Sequence, residues 1–228
     1  MRRTLNVVRL QLINKSTFVW VPLLVLAGAT LLSILIYAMI PVDSPKYGGA
    51  GQAPLWYFFA IGITAMTYTF PFSQALSITR REFFLGTLAA AAGGSAFMGV
   101  LFLIGGWIEQ LTNGYGVNGW VFHLPWVWEA GPAGAFLVSF TLAMFFFVLG
   151  FTGATIYKSW GPLVLTIVSF ALALVLLGVI FLITRLELWL QVWQAIGDIG
   201  AVGLALWGLV AVAVLAAISF LAFRRAKP

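Results

Sequence analysis

Ser77-Ile-Thr-Arg-Arg-Glu-Phe-Phe-Leu-Gly-Thr87 is a charged interruption between two long apolar runs. Read as the end of one membrane helix and the start of the next, it decides the fold. The chain carries 12 Lys and Arg and 6 Asp and Glu in 228 residues, and here three of them stand side by side. Thr79-Arg-Arg-Glu82 has the form of a capping box. The Thr79 hydroxyl would take the amide of Glu82 while the Glu82 carboxylate returns to the Thr79 amide, so a new helix is expected to start at Arg80. Arg80 and Arg81 anchor the break on one side of the membrane, and Phe83 and Phe84 put two large rings at the helix start, where a neighbouring protein could bury them.

Outward from this break the composition is that of a bilayer protein. Hydrophobic residues make up 62% of the chain, charged residues 8%, and the mean hydropathy is +1.06. Apolar stretches long enough to cross roughly 30 Å of hydrocarbon recur along the whole length. The expected fold is an all-α integral membrane protein with six spans, near residues 17–40, 55–77, 84–108, 133–156, 162–183 and 200–223. These fill 1–228 as a single transmembrane domain with no room for a soluble module. The basic N-terminus leads into an apolar run that passes Ile40 without a small-residue cleavage site, so a retained first span is expected.

Charge sets the expected orientation. With the N-terminus inside, Arg2, Arg3, Arg9, Lys15, Arg80, Arg81, Lys158, Arg224, Arg225 and Lys227 fall on the inner side, and only Lys46 and Arg185 on the outer. That bias predicts cytoplasmic termini. It also explains a net charge of +6 without nucleic acid as a partner. Residues 1–16 form the lead-in, in which Leu5, Val8 and Leu12, continued by Val19 beyond it, fall near one helical face with Arg9, Gln11 and Lys15 elsewhere. This spacing fits either a short interfacial helix or an ordinary basic flank. Two outer segments are expected. The one at 184–199 holds Trp189, Trp193 and Ile196 at helical spacing. The one at 109–132 holds a turn-rich part, Asn113-Gly-Tyr-Gly-Val-Asn-Gly119, and then Trp120, Trp126 and Trp128 around His123; it is read as a lid or as a membrane-hugging loop.

The residues for most membrane enzymology are missing. There is one His, no Cys and no Gly-rich phosphate loop of the GxxxxGK[ST] form. Paired haem ligands, an intramembrane metal site or a Ser-His nucleophile cannot be assembled, and no catalytic residue or cofactor is expected in this chain. In the second span Thr64, Thr67, Pro71 and Gln74 recur at intervals of three or four along one face. They would line a path or serve helix packing, and Pro71 frees the carbonyl of Thr67 and permits a hinge. The small residues Gly86, Ala89 to Ala92, Gly93 and Gly94 read as packing.

Six spans, an amphipathic lead-in, the break S-x-T-R-R-E-F-F-L-G after the second span and an amphipathic segment before the last one together resemble the small membrane subunits of bacterial ABC exporters of the type-2 permease family. The resemblance covers the organisation of the whole chain and, in motif, residues 73–88. It implies a permease in the bacterial inner membrane and a coupling segment at 78–83 that docks on a separate ATPase subunit, which binds ATP and Mg. It also implies a second copy of this chain or a related permease; lipid around the chain and a hydrophobic or amphipathic cargo are suggested by the aromatic-rich, nearly charge-free composition instead. By position, Ser77, Thr79, Arg80, Arg81, Glu82, Phe83 and Phe84 would meet the ATPase. The break is short enough to be a separate helix or only the tip of the third span. The competing readings are a non-transporting membrane scaffold or assembly factor, and an ATP-independent channel or carrier.

Overall fold

A computed structural model describes residues 7–11 and 16–223. The protein is all-α, with six helices long and apolar enough to cross a membrane, the architecture of a multi-pass membrane protein. We label these α1 (Val21–Met39), α2 (Ala53–Thr64, continued by a π-helical turn Ala65–Thr69 and Phe70–Ala75), α3 (Arg80–Leu111), α4 (Gly131–Trp160), α5 (Pro162–Arg185) and α6 (Trp189–Phe223). Two-residue strands, β1 (Lys46–Tyr47) and β2 (Gly119–Trp120), pair in parallel between the α1–α2 and α3–α4 connections. The helices alternate between two ends. One holds the break, Lys158 and the end of α6, and the other holds the β pair.

Helix α4 is the hub, packing against α2, α3 and α6. Lipid tails are as apolar as Leu, so helices in hydrocarbon associate through close packing rather than hydrophobic exclusion. The closest approach is between α2 and α4. A Cβ on Gly62 would overlap the Phe147 carbonyl oxygen, and one on Gly150 would overlap that of Phe59. Each glycine thus lets the other helix's backbone in. Hydroxyls add local bonds: Thr152 Oγ1 meets Ser219 Oγ at 2.7 Å, joining α4 to α6. Helix α5 is different, for none of its residues is buried. It packs chiefly on α4 and is bordered by apolar clefts toward α2 and α6.

Several expectations need correction. The third span does not end near 108 but runs to Leu111, so Glu109 belongs to α3 and is fully buried. The lead-in buries Val7 and Gln11, not a face through Val8, because the Gln11 amide finds the Thr87 hydroxyl at 3.0 Å and is satisfied inside the protein. Leu5, Leu12 and Lys15 lie outside the described residues, as do Arg2, Arg3, Arg224, Arg225 and Lys227. The helix before the last span is present from Trp189 and breaks at Gly200, whose φ of 67° and ψ of 172° interrupt α6. Of the small residues in α3, Gly94 receives the Phe58 ring and Gly99 the Phe136 ring, whereas Gly93 faces open space.

The α2–α4 crossing makes a quantitative expectation. Gly62→Ala and Gly150→Ala should each destabilise the bundle by about 1–3 kcal/mol through overpacking, whereas Gly93→Ala should change it by less than about 0.5 kcal/mol. Thermal unfolding of the three variants in one detergent measures the contrast.

Candidate functional site

The break between α2 and α3 forms as its sequence directs. Thr79 Oγ1 accepts from the Glu82 amide at 3.3 Å, and Glu82 Oε2 accepts from the Thr79 amide at 3.1 Å. The capping box is complete and α3 starts at Arg80. No separate helix stands between Ala75 and Arg80. The chain turns through Ser77, whose φ is +55°, and Gln74 Nε2 donates to the Ile78 carbonyl at 3.1 Å to hold the turn. The coupling segment of the resemblance is therefore the tip of α3.

Phe83 and Phe84 do not wait for a partner. Their relative exposures are 0% and 6%, and both rings pack inside the chain. Phe83 lies 5.4 Å from Phe70 and 5.9 Å from Phe223, and Phe84 lies 5.1 Å from Phe220 and 6.0 Å from Phe151, between ring centroids. Arg80 Nη1 donates to the Phe223 carbonyl at 3.1 Å, and Ser159 Oγ donates to that of Ala222 at 3.0 Å, which joins the break and α4 to the last described turn of α6. Such ring pairs contribute about 0.5–1.5 kcal/mol each beyond the area they bury. The break is thus tied to α2, α4 and α6. What it presents outward is Leu76, Ser77, Thr79 and Arg81.

The polar stripe of α2 is divided by the structure. Thr64 Oγ1 and Thr67 Oγ1 donate to the Ile61 and Ile63 carbonyls, and Gln74 serves the turn. Pro71 follows the π-helical turn Ala65–Thr69, so the irregularity its missing amide permits is present in α2 itself. Thr67 alone of the four lines a cavity of about 550 Å³ between α2, α4 and α5, together with Phe59, Gly153, Tyr157, Leu165 and Ser169. This cavity opens where α5 stands away from α4, and its wall is almost wholly apolar.

At the opposite end, sequence reasoning passed over the residue that organises the 109–132 connection. The Glu109 carboxylate accepts from the amides of Val121, Phe122 and His123 at 2.8, 2.9 and 2.6 Å. Its only sequence signal is an acid at the end of an apolar run. Burial first, and then the nearby Glu109 charge, pushes the pKa of the Tyr115 hydroxyl up to about 12. Phe122 and Trp128 lie over Gly105 and Gly106. Gln110 Nε2 donates to His123 Nε2 at 2.6 Å, which requires that nitrogen to be unprotonated. The connection is a cap folded onto α3.

No family model, curated protein or solved structure matches this chain.

Two expectations follow for the cap. Glu109→Gln replaces one oxygen acceptor by an amide donor facing backbone N–H groups and should destabilise the cap by about 1–3 kcal/mol, read as faster hydrogen exchange at residues 121–123. Burial lowers the His123 pKa from its ordinary value. The folded state then binds the proton less well than the unfolded one, so this contribution is full above about pH 6.5 and is lost as pH falls toward the folded value. Protection factors over 112–128, which remove the intrinsic slowing of exchange at lower pH, should fall on acidification in the native chain and fall less in His123→Gln.

Proposed function

We propose that this chain is the transmembrane subunit of an ATP-driven exporter in a bacterial inner membrane, coupled to a separate ATPase subunit through the break between α2 and α3. The observation that carries the reading is the form of that break. Leu76, Ser77, Thr79 and Arg81 stand exposed at the tip, while Gln74, Phe83, Phe84 and Arg80 bind the same tip to α2, α4 and α6. A partner that pulls on such a tip moves several helices together.

Three further observations support it. Helix α2 carries its π-helical turn and Pro71 between the crossing at Gly62 and the break, so displacement at the break has a place to be absorbed. Thr67, in that irregular stretch, faces the apolar cavity, which suits a hydrophobic or amphipathic cargo. Arg80, Arg81 and Lys158 share one end of the bundle, which the positive-inside rule puts in the cytoplasm. In this reading ATP and Mg bind the partner, this chain supplies the gate, and a second copy of it or a related permease completes the path. Because the rings at 83 and 84 are occupied within the chain, the contact with the ATPase shifts to Leu76, Ser77, Thr79 and Arg81.

The test is recovery of partners from native membrane with a tagged chain. An ATPase bearing a Gly-Lys-Ser/Thr phosphate loop should co-purify, and the double substitution Leu76→Asp, Arg81→Glu should lower its yield about tenfold, as loss of roughly 1.4 kcal/mol of contact would, with the chain still folded. An unchanged yield in that variant, or no such ATPase with the native chain, overturns the reading.

A further inference from the structure

A cavity of about 480 Å³ lies at the opposite end from the break, walled by the last turn of α1, the stretch after it and the 113–118 loop. Its position follows from the chain. The apolar run of α1 ends at Ile40, and the wall passes from Tyr37 and Ile40 to Asp43, Lys46, Asn113 and Asn118, from span to polar connection within a few residues. A bilayer changes from hydrocarbon to headgroups over the same interval.

The two charges on this wall do not neutralise each other. Lys46 Nζ donates to the Tyr37 carbonyl at 3.0 Å and the Val117 carbonyl at 3.2 Å. Two main-chain acceptors thus fix the ammonium in place, and of its three donors one is left. Asp43 is held by its backbone, since its carbonyl accepts from Asn118 Nδ2 at 2.7 Å, while its carboxylate stays exposed. Asn118 is itself fixed by the Trp120 indole, at 3.0 Å to Oδ1. No ion pair joins Asp43 to Lys46. A cation held by two main-chain carbonyls and, three residues away, an anion whose backbone is held while its carboxylate stays exposed line one cavity.

We infer that this cavity binds an amine-bearing phosphate of the phosphoethanolamine type, its phosphate on Lys46 and its ammonium on Asp43. A charge-assisted bond forms at each end, and the ligand completes two charges that the protein leaves apart. The level of the cavity makes a phospholipid headgroup the immediate source, with its acyl chains on the apolar side of α1. The inference does not depend on the exporter reading, because it concerns the other end of the bundle and no moving part.

The test uses the full chain in detergent, offered phosphatidylethanolamine and phosphatidylglycerol in equal amounts, with retained lipid counted by native mass spectrometry. The native chain should retain the amine lipid about tenfold more, the effect of roughly 1.4 kcal/mol at one charged contact. Asp43→Asn should bring the two lipids to within about twofold, and Lys46→Gln should lower retention of both, with Lys46→Arg restoring it. Lys46 also holds the end of α1, so Asp43→Asn, whose carboxylate makes no contact in the fold, decides the matter if Lys46→Gln fails to fold. Equal retention by the native chain, or a preference unchanged in Asp43→Asn, overturns the inference. Adding soluble phosphoethanolamine separates the sources. Displacement of the bound lipid shows that the headgroup alone is recognised, and its failure assigns the site to the lipid form; either result supports the inference.

Discussion

Two backbones in contact, α2 at Gly62 and α4 at Gly150, set the geometry from which the rest of the bundle is built. In water, helices are pressed together by exclusion of apolar surface. In hydrocarbon that force is absent, and association depends on how closely helices can approach. Reciprocal glycines give the closest approach possible, since each removes the atom that would meet the other helix's carbonyl. With α2 fixed on one side of α4, the remaining faces of α4 receive α3 and α6. Helix α5, with no buried residue, has no such seat and keeps exposed surface on nearly all sides.

The two ends of the bundle are closed by different chemistry. At the basic end a cluster of rings, Phe70, Phe83, Phe84, Phe151, Phe220 and Phe223, gathers four helices, and Arg80 and Ser159 donate to the Phe223 and Ala222 carbonyls of α6. These contacts are mostly non-directional, so they tolerate small displacements. At the other end the Glu109 carboxylate takes three successive amides, and the loop it holds passes through left-handed conformations at Asn113, Tyr115 and Asn118. Those conformations are unfavourable for residues with a Cβ and persist only where surrounding bonds impose them. One end is joined mainly by ring packing and the other by hydrogen bonds to a single carboxylate.

What was legible in the sequence is what depends on neighbours in the chain. Span number and order follow from hydropathy, and the start of α3 follows from Thr79 and Glu82, which are three residues apart. The helix before the last span was legible from the spacing of Trp189 and Trp193. What was not legible depends on distant partners. Phe83 is buried because Phe223, 140 residues later by number, returns to the same end, and no local pattern distinguishes a ring so covered from one left for another protein. Glu109 was read as the first residue of a connection because its acceptor role involves amides 12–14 positions on. Gly62 and Gly150 could not be picked from the chain's 24 glycines, since the crossing that requires them is a tertiary fact.

The same distinction bears on where this protein can bend. Helix α2 packs backbone to backbone against α4 at Gly62 and against the rings of α3 and α6 at Phe70. Between these points lie the π-helical turn Ala65–Thr69 and the boundary before Pro71, where helical hydrogen bonding is already irregular. Bending there disturbs fewer regular bonds than bending elsewhere in α2, and Thr67, on the wall of the apolar cavity, lies within it. A load applied at the tip of α3 reaches this stretch through Gln74 and through the Phe83–Phe70 contact. The aromatic cluster thus joins the tip of α3 to the irregular stretch of α2, in which Thr67 lines the apolar cavity.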